Sequence, residues 1–483
     1  MASLSEVGAK RQRVSECVLH ANVCGTTRQL YANSMKRIVK FCVKSGMTDI
    51  INAEGTALLY PVAKSDLELI FDGIGGQQGR MAANSQSRSG DICSGNDSIT
   101  NSCDSDSRES TENGTSSSDD GNSAGDDIQL PNRTVNRDTI RSGAVLSVSA
   151  MNQYISAIKF YHKEEASVDS AKELSSDANS FLNDFLAGWK RIVADKRNCG
   201  EMKMHEGKTP LEFASYSKLC EAALFAAEER SVGSHYLHLF VVLCWNLFAR
   251  SCSVANIRTG HFMWKNDCLV VNILVTKSDQ TGEHSTPKHI FANPGQPKIC
   301  PVLALALHTF SAQRHHDKED RVFTGTPYDV ISKWLNSVGS KLVTITDPEC
   351  DLGTHSFRKG ATTHSIGCTN APQWTTVFLR AGWSLGAVQD RYICSNAAGD
   401  QHLGRIACGL PHNPSFAVLP PHFKKDFTIS LDQWINYLPH VENLPDGFRK
   451  CLPFLLASIV YHWEWISEKD NEGKNNILYL LCT

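Results

Sequence analysis

The chain has 483 residues, of which 41% are hydrophobic and 20% charged, which is enough for two or three globular domains with cores of their own. Its net charge is −3, its longest apolar runs are too short to span a bilayer comfortably, and its first residues are polar, so we expect no membrane segment and no secretory signal. Seventeen cysteines without any Cys-x-x-Cys pair disfavour both a disulfide framework and a zinc site.

The acidic charge is concentrated in one part of the chain. Residues 81–127 contain ten Asp or Glu against two Arg, so the rest of the sequence is modestly basic. The wider segment 75–137 is rich in Ser, Asn, Gly and Asp, and it has too few aliphatic residues to bury a core. We predict a disordered acidic insert here, and an inert loop is a simpler interpretation than a binding device.

Amphipathic helical segments flank this insert. We predict one N-terminal helical domain, in two halves at residues 1–74 and 138–206, because apolar residues recur at near-helical spacing in both. Basic residues lie between the apolar ones. They are candidates for contacts with a nucleic-acid backbone, with an ordinary solvated face as the alternative. These residues are Arg28, Lys36, Arg37, Lys40, Lys159, Lys190 and Arg191.

A second domain is predicted over residues 207–425, after a linker that contains Gly and Pro. A long apolar helix ends near Arg250, and an arginine directly after such a run is costly to bury unless an anion binds it. Arg258 is the fallback for this role. A β-hairpin follows, and Lys277 lies where its first strand meets the turn. Lys288, near the return strand, is the competing lysine.

The stretch 353–393 combines several chemically active side chains. A helix is predicted to begin near residue 354, and its His355 and Arg358, at i, i+3 spacing, can converge on one anion at the helix start. A second amphipathic segment precedes Trp383, and a further short helix carries Tyr392. Taken singly, these two aromatic residues are better explained as core packing. Their order and spacing favour an active site.

In order and spacing, this set resembles the tyrosine recombinase (phage integrase) family. That family's pattern is an arginine, a hairpin lysine, His-x-x-Arg, a His or Trp, and a nucleophilic tyrosine. Trp383 precedes Tyr392 by nine positions and Arg358 precedes it by 34, as in the family, and the flanking GTHSFRKGA is similar to Crypton-like eukaryotic mobile-element members. Ser253 departs from the acidic residue that the family often has there. The resemblance implies catalytic roles for Arg250, Lys277, His355, Arg358, Trp383 and Tyr392.

The resemblance also implies a fold and a mechanism. The fold would be mainly α with a small antiparallel β-sheet, a helical core-binding domain preceding the catalytic domain. Tyr392 would attack a DNA phosphate to form a covalent phosphotyrosine, Arg250 and Arg358 would stabilise the added negative charge, and Lys277 would protonate the leaving hydroxyl. Neither a metal nor another cofactor would be needed.

The implied partners are double-stranded DNA and further copies of the chain, as a tetramer on DNA and a monomer or dimer when free. Two other interpretations remain open: a domesticated DNA-binding protein without activity, and a type IB topoisomerase-like enzyme. Residues 426–483 are predicted to form a C-terminal helical extension that packs on its own protomer or on a neighbour. A reducing compartment and DNA chemistry together predict the nucleus in a eukaryote and the cytoplasm otherwise.

Overall fold

The structure is a computed structural model that describes residues 25–85, 145–204, 207–224, 234–273, 279, 282, 285–311, 320–344, 351–386, 392, 397–411, 413–425, 427–439 and 441–469. The chain divides into two compact units, an N-terminal unit of residues 1–206 and a C-terminal unit of residues 207–483. The described part is mainly helical with one small antiparallel sheet, which confirms the predicted fold class. None of the described helices is both long enough and apolar enough to cross a membrane.

Four helices form the described part of the N-terminal unit: α1 (Gly25–Lys44), α2 (Lys64–Ser85), α3 (Val148–Ala166) and α4 (Ser176–Asn198). Each buries one apolar stripe, and the stripe of α1 includes Ile38 and Cys42, both fully buried. Serine side chains cap α3 and α4, because Ser147 and Ser175 accept hydrogen bonds from backbone N–H groups of the first turns. The predicted amphipathic helices of this unit therefore form.

Helix α2 continues to Ser85, so it extends into the N-terminal end of the predicted disordered insert, residues 75–137. Gly75 explains part of this continuation. A Cβ atom at Gly75 would lie 2.9 Å from a ring atom of Trp189, so the absent side chain lets α2 pack closely on α4. Residues 86–137, the remainder of the predicted insert, lie outside the described residues.

The C-terminal unit contains thirteen described α-helices, of which α6 is the apolar helix predicted to end near Arg250. They are α5 (Phe213–Leu224), α6 (Ser234–Asn246), α7 (Ser251–Ala255), α8 (Pro301–Phe310), α9 (Pro327–Trp334), α10 (Ser340–Thr344), α11 (Thr354–Gly367), α12 (Trp374–Ala381), α13 (Ala397–Ala407), α14 (Leu431–Tyr437), α15 (Asp446–Arg449), α16 (Leu452–Tyr461) and α17 (Trp463–Lys469). A π-helical turn, Leu335–Gly339, joins α9 to α10. Helix α6 is buried on all sides at the centre of the unit's core.

Three antiparallel strands form the sheet, in the order β1 (Phe262–Lys265), β2 (Cys268–Val271) and β3 (Lys288–Ile290). Strands β2 and β3 correspond to the predicted hairpin, although both are shorter than expected. The first strand was not predicted. Its turn to β2 passes through Asn266, which has a φ of 55°, and the Asn266 carbonyl accepts a 2.9 Å hydrogen bond from the indole of Trp264.

The C-terminal segment packs on its own protomer. Helix α16 lies against α8, and its Phe454 ring stacks on Trp264 of β1 with ring centroids 3.8 Å apart. Apolar residues of this segment, such as Leu452 and Leu455, belong to the same core as α6 and α8. The boundary placed at residues 425 and 426 therefore does not separate two cores.

The segment that precedes α5 is hydrogen-bonded to the first turns of α11. The backbone N–H of Leu211 donates to the Ser356 carbonyl at 3.1 Å, and the Lys359 ammonium donates to the Lys208 carbonyl at 3.0 Å. Gly360 makes this approach possible, because a Cβ atom there would lie 2.1 Å from the Leu211 carbonyl oxygen. The position of the His-x-x-Arg helix is thus fixed by backbone packing.

Replacing Gly360 by Ala should destabilise the folded protein by about 1–3 kcal/mol, because the new methyl group meets backbone that cannot move alone. Urea unfolding followed by circular dichroism measures this loss. Gly367→Ala, at the end of the same helix, is the control, since nothing lies within 4 Å of a Cβ atom there. Equal stabilities of the two variants would contradict the close packing on Leu211.

Candidate active site

Arg358 lies near the start of α11, one turn beyond its N-cap, Gly353. The Ser356 hydroxyl accepts a 3.1 Å hydrogen bond from the Gly353 N–H, which closes the first turn of the helix. Arg358 is 7% exposed, and its guanidinium donates a 2.6 Å hydrogen bond to the Ala381 carbonyl at the end of α12. One predicted catalytic arginine is therefore buried and held by a helix C-terminus, where a cation is favoured.

Trp383 reaches Arg358 because α12 ends in a tight turn. Gly382 adopts the left-handed conformation with a φ of 68°, and the Trp383 N–H donates back to the Phe378 carbonyl at 3.0 Å. This turn places the indole ring of Trp383 5.2 Å from the guanidinium carbon of Arg358. The structure thus brings together two residues that lie 25 positions apart in the sequence.

Lys288 is the described lysine of the predicted hairpin, and it is buried at 9% exposure on β3. Its ammonium donates a 3.0 Å hydrogen bond to the Leu247 carbonyl, which follows the end of α6. Burial, followed by the nearby Arg380 and Arg358, lowers the pKa of Lys288 to about 7, and Asp400 opposes this shift. A lysine with such a pKa can both hold and release a proton near neutral pH.

Arg380 and Asp400 form an ion pair that the sequence analysis missed. The Arg380 guanidinium lies 2.6 Å from the Asp400 carboxylate, and the two side chains are 0% and 6% exposed. Burial raises the pKa of Asp400, but Arg380 and hydrogen bonds from His289 outweigh it and lower this pKa to about 2. One pattern could have revealed Arg380: it shares the buried face of α12 with Val377, and a buried arginine needs a counter-charge.

The charged groups that act on Lys288 are mostly positive. Arg380, Arg358 and Arg250 lower its pKa, and Asp400 is the carboxylate that raises it. Asp400 already accepts hydrogen bonds from Arg380 and from both the N–H and the ring of His289. These groups come from five separate segments of the chain. Positive groups therefore predominate among those that act on Lys288, which favours the binding of an anion.

Arg250, one of these cations, is the N-cap residue of α7. The chain reaches Arg250 through a sharp reversal after α6, where Phe248 has a φ of 49°. Arg258, the fallback, is exposed on a separate turn and is not among the groups that act on Lys288. His355 is partly exposed in the first turn of α11, three residues before Arg358.

Two predicted catalytic residues are not joined to this arrangement by the described contacts. Tyr392 has a helical backbone conformation, and its side chain is 81% exposed. Lys277 lies outside the described residues. The geometry therefore brings together Arg250, Arg358, Trp383 and Lys288, and the roles of Tyr392 and Lys277 stay predictions.

The predicted DNA-binding residues of the N-terminal unit differ in their surroundings. Lys36, Arg37 and Lys40 are exposed on α1, and Lys190 and Arg191 are exposed on α4.

The other two predicted DNA-binding residues are engaged within the unit. Arg28 lies 3.5 Å from the Glu164 carboxylate and over the ring of Phe160. Lys159 donates a 2.8 Å hydrogen bond to Asn183, and burial lowers its pKa. The exposed residues are therefore the better candidates for backbone contacts.

Within the described part of the chain, no group of three or more His, Cys, Asp and Glu side chains is arranged to hold a metal ion. The described cysteines form no disulfide bond.

Comparison with solved structures finds tyrosine recombinases. An FLP recombinase–Holliday junction complex shares 14% identity with a TM-score of 0.37, covering 64% of this chain and 79% of that chain. A Flpe–Holliday junction complex shares 13% identity with a TM-score of 0.33, covering 64% and 78%. No protein-family model and no curated protein matches the sequence.

Replacing Lys288 by Met should change how folding stability depends on pH. Between pH 7 and 10.5 the unfolded chain holds a proton on Lys288 that the folded chain does not, since the pKa is about 7 when folded and 10.5 ordinarily. The unfolding free energy of the wild type should therefore rise relative to Lys288→Met above pH 7, by at most ~1.4 kcal/mol per pH unit, and stay level below it.

Urea titrations from pH 6 to about 9.5 measure this difference. Lys333→Met is the matched control, because Lys333 is an exposed lysine on α9 of the same unit. A constant difference between the wild type and Lys288→Met across this range would show that Lys288 is not buried as described.

Proposed function

We propose that this chain is a DNA strand transferase of the tyrosine recombinase kind, which cleaves and rejoins DNA through a covalent phosphotyrosine on Tyr392. The observation that supports it most is that three arginines, Arg250, Arg358 and Arg380, act on the buried Lys288, whose neighbouring carboxylate Asp400 is already bound by Arg380 and His289. Cations placed close together favour the binding of an anion. A phosphate of the DNA backbone would be that anion.

The donors suit a phosphate in particular. The guanidinium of an arginine is planar and always charged, and it can bind two oxygens of one phosphate at once. Arg250 and Arg358 come from different segments, so they can approach a phosphorus centre from two sides. Because Arg358 is buried and held by Ala381, it needs little rearrangement when charge develops during the reaction.

The remaining roles follow from the chemistry of in-line transfer at phosphorus. The Tyr392 oxygen would lose its proton as it bonds to phosphorus, and the deoxyribose oxygen whose bond to phosphorus breaks would take up a proton and leave as a hydroxyl. Lys277 is the sequence-based candidate for that donor, and Lys288 is the candidate that the electrostatics support, since its pKa of about 7 suits proton transfer at neutral pH. Trp383 would pack beside the phosphate against Arg358, and His355 would add a hydrogen bond.

The wider biological role is also part of the proposal. The substrate would be double-stranded DNA, gripped through the exposed basic residues of α1 and α4, and four copies of the chain would act on two duplexes. The reaction would need neither metal nor ATP, because the cations are supplied by side chains and the phosphotyrosine keeps the energy of the broken bond. We expect a mobile element as the source and the nucleus as the site of action in a eukaryote.

A library of nicked duplexes with randomised sequence around the nick tests the covalent step. Wild-type protein should give complexes that survive denaturing electrophoresis, and Tyr392→Phe should give none, because the attacking hydroxyl is absent. Tyr437→Phe is the matched control, since Tyr437 is also an exposed tyrosine of the C-terminal unit, at 58%.

The other outcomes of this experiment are informative. Covalent complexes that persist in Tyr392→Phe would exclude this tyrosine as the nucleophile. Trapping together with plasmid relaxation, but without strand exchange, would favour a type IB topoisomerase-like activity. DNA binding without any trapping in the wild type would favour a non-catalytic DNA-binding protein.

The double variant Arg37→Gln/Lys40→Gln tests the DNA contact of the N-terminal unit. If both exposed cations contact phosphates, the slope of log Kobs against log salt concentration should become shallower by about two. Binding to a duplex of mixed sequence, measured by fluorescence anisotropy at several salt concentrations, gives this slope. Lys64→Gln, a lysine paired with Glu68 on α2, is the control and should leave the slope unchanged. An unchanged slope in the double variant would exclude this contact.

A further inference from the structure

The Arg380 guanidinium is the point at which several segments of the C-terminal unit meet. It donates to the Asn246 carbonyl at 2.8 Å, to the His289 carbonyl at 2.9 Å, and to the Asp400 carboxylate at 2.6 Å. Its guanidinium carbon also lies 5.5 Å from the centre of the Phe248 ring. Asp400 completes the arrangement by accepting hydrogen bonds of 2.7 and 2.8 Å from the N–H and the ring nitrogen of His289.

Each segment that Arg380 holds is close in the sequence to a candidate catalytic residue. Asn246 is four residues before Arg250, and His289 follows Lys288. Arg380 itself is three residues before Trp383, and Asp400 is eight residues after Tyr392. We call the three side chains Arg380, Asp400 and His289 the arginine bracket.

We propose that Arg380 and Asp400 are positioning residues of this active site, and that the arginine bracket fixes the relative positions of Arg250, Lys288 and Trp383 without contacting the substrate. This inference rests on the proposed function. The guanidinium is fully buried and its hydrogen bonds go to protein acceptors, so it is not a surface available to a phosphate. Small displacements of catalytic groups are sufficient to cost orders of magnitude in rate.

A close approach of helix and strand supports the same inference independently. Gly404 of α13 packs on β3 so tightly that a Cβ atom there would lie 2.2 Å from the His289 carbonyl oxygen, the atom that accepts from Arg380. The same helix carries Asp400 one turn earlier. The distance between α13 and β3 is therefore set where the bracket closes.

The bracket also sets the charge around Lys288. Besides Asp400, the charged groups that act on this lysine are Arg380, Arg358 and Arg250, all of which disfavour its protonated form. The bracket thus includes the carboxylate that favours the protonated ammonium.

The first test compares Arg380→Met with the double variant Arg380→Met/Asp400→Asn. The single variant leaves a buried carboxylate without its main partner, and the double variant removes that charge, so folding stability should recover in the double variant. Single-turnover cleavage of the selected nicked duplex should stay about 100-fold slower than in the wild type in both, while the Kd for DNA changes little. Recovery of cleavage together with stability would overturn the positioning role, since it would leave only a structural one.

Gly404→Ala is the second variant, because it displaces α13 from β3 without changing any charge. It should slow cleavage while DNA affinity is kept. Gly399→Ala on the same helix is its control, since a Cβ atom there meets the Thr376 side chain at 3.0 Å, and that side chain can rotate away. A folded Gly404→Ala protein with the wild-type cleavage rate would count against the inference.

A third measurement needs no DNA and separates this inference from the proposed function. In the next comparison, the wild type and Lys288→Met both also carry Asp400→Asn. The pH above which their stability difference rises should then lie below about 7, because Asn does not favour the protonated ammonium. An unchanged onset would show that the bracket does not act on Lys288. Absence of covalent complexes in the wild type would contradict the proposed function, whereas normal cleavage in the bracket variants would contradict this inference alone.

Discussion

A fully buried guanidinium is stable only when its N–H groups are paired and its charge is balanced, and this requirement organises the C-terminal unit around Arg380. Its acceptors come from the end of α6, from β3 and from α13, which are far apart in the sequence. If any of these segments moved, a buried N–H group would lose its partner. Because the buried guanidinium needs these acceptors, it restricts the positions of the segments that carry Arg250 and Lys288.

The second constraint is the repulsion among the cations themselves. Arg250, Arg358 and Arg380 all disfavour the protonated form of Lys288, and burial disfavours it further. Folding holds these groups together because α6 and its neighbours form a large apolar core, in which residues such as Trp245 and Phe240 are fully buried. An anion bound among these groups would reduce this repulsion.

Contacts within one stretch of the chain could be predicted from the sequence, whereas contacts between distant segments could not. Arg358 and Trp383 lie within one short stretch, so their order and spacing were enough to predict that they belong to one site. Lys277 was preferred over Lys288 because the family resemblance points to a lysine where the hairpin strand meets its turn, whereas the burial of a strand lysine depends on what covers it. Arg380 and Asp400 were missed because the ion pair joins two helices, and the third member, His289, is 111 positions from Asp400. The mainly helical fold and the β2–β3 hairpin followed from periodicity, but β1 was too short to register as a strand.

Burial divides the candidate groups into two kinds. Arg358 is 7% exposed and Lys288 9%, whereas Tyr392 is 81% exposed. The difference follows from what each group needs. A cation stabilises developing charge best when it is fixed in a surrounding of low dielectric constant, so its position must be built into the fold. A phenol is uncharged at neutral pH and acts only when a phosphate lies next to it, so a surface position costs it little. The core therefore fixes Arg358 and Lys288, whereas Tyr392, which was recognised from its spacing, is exposed.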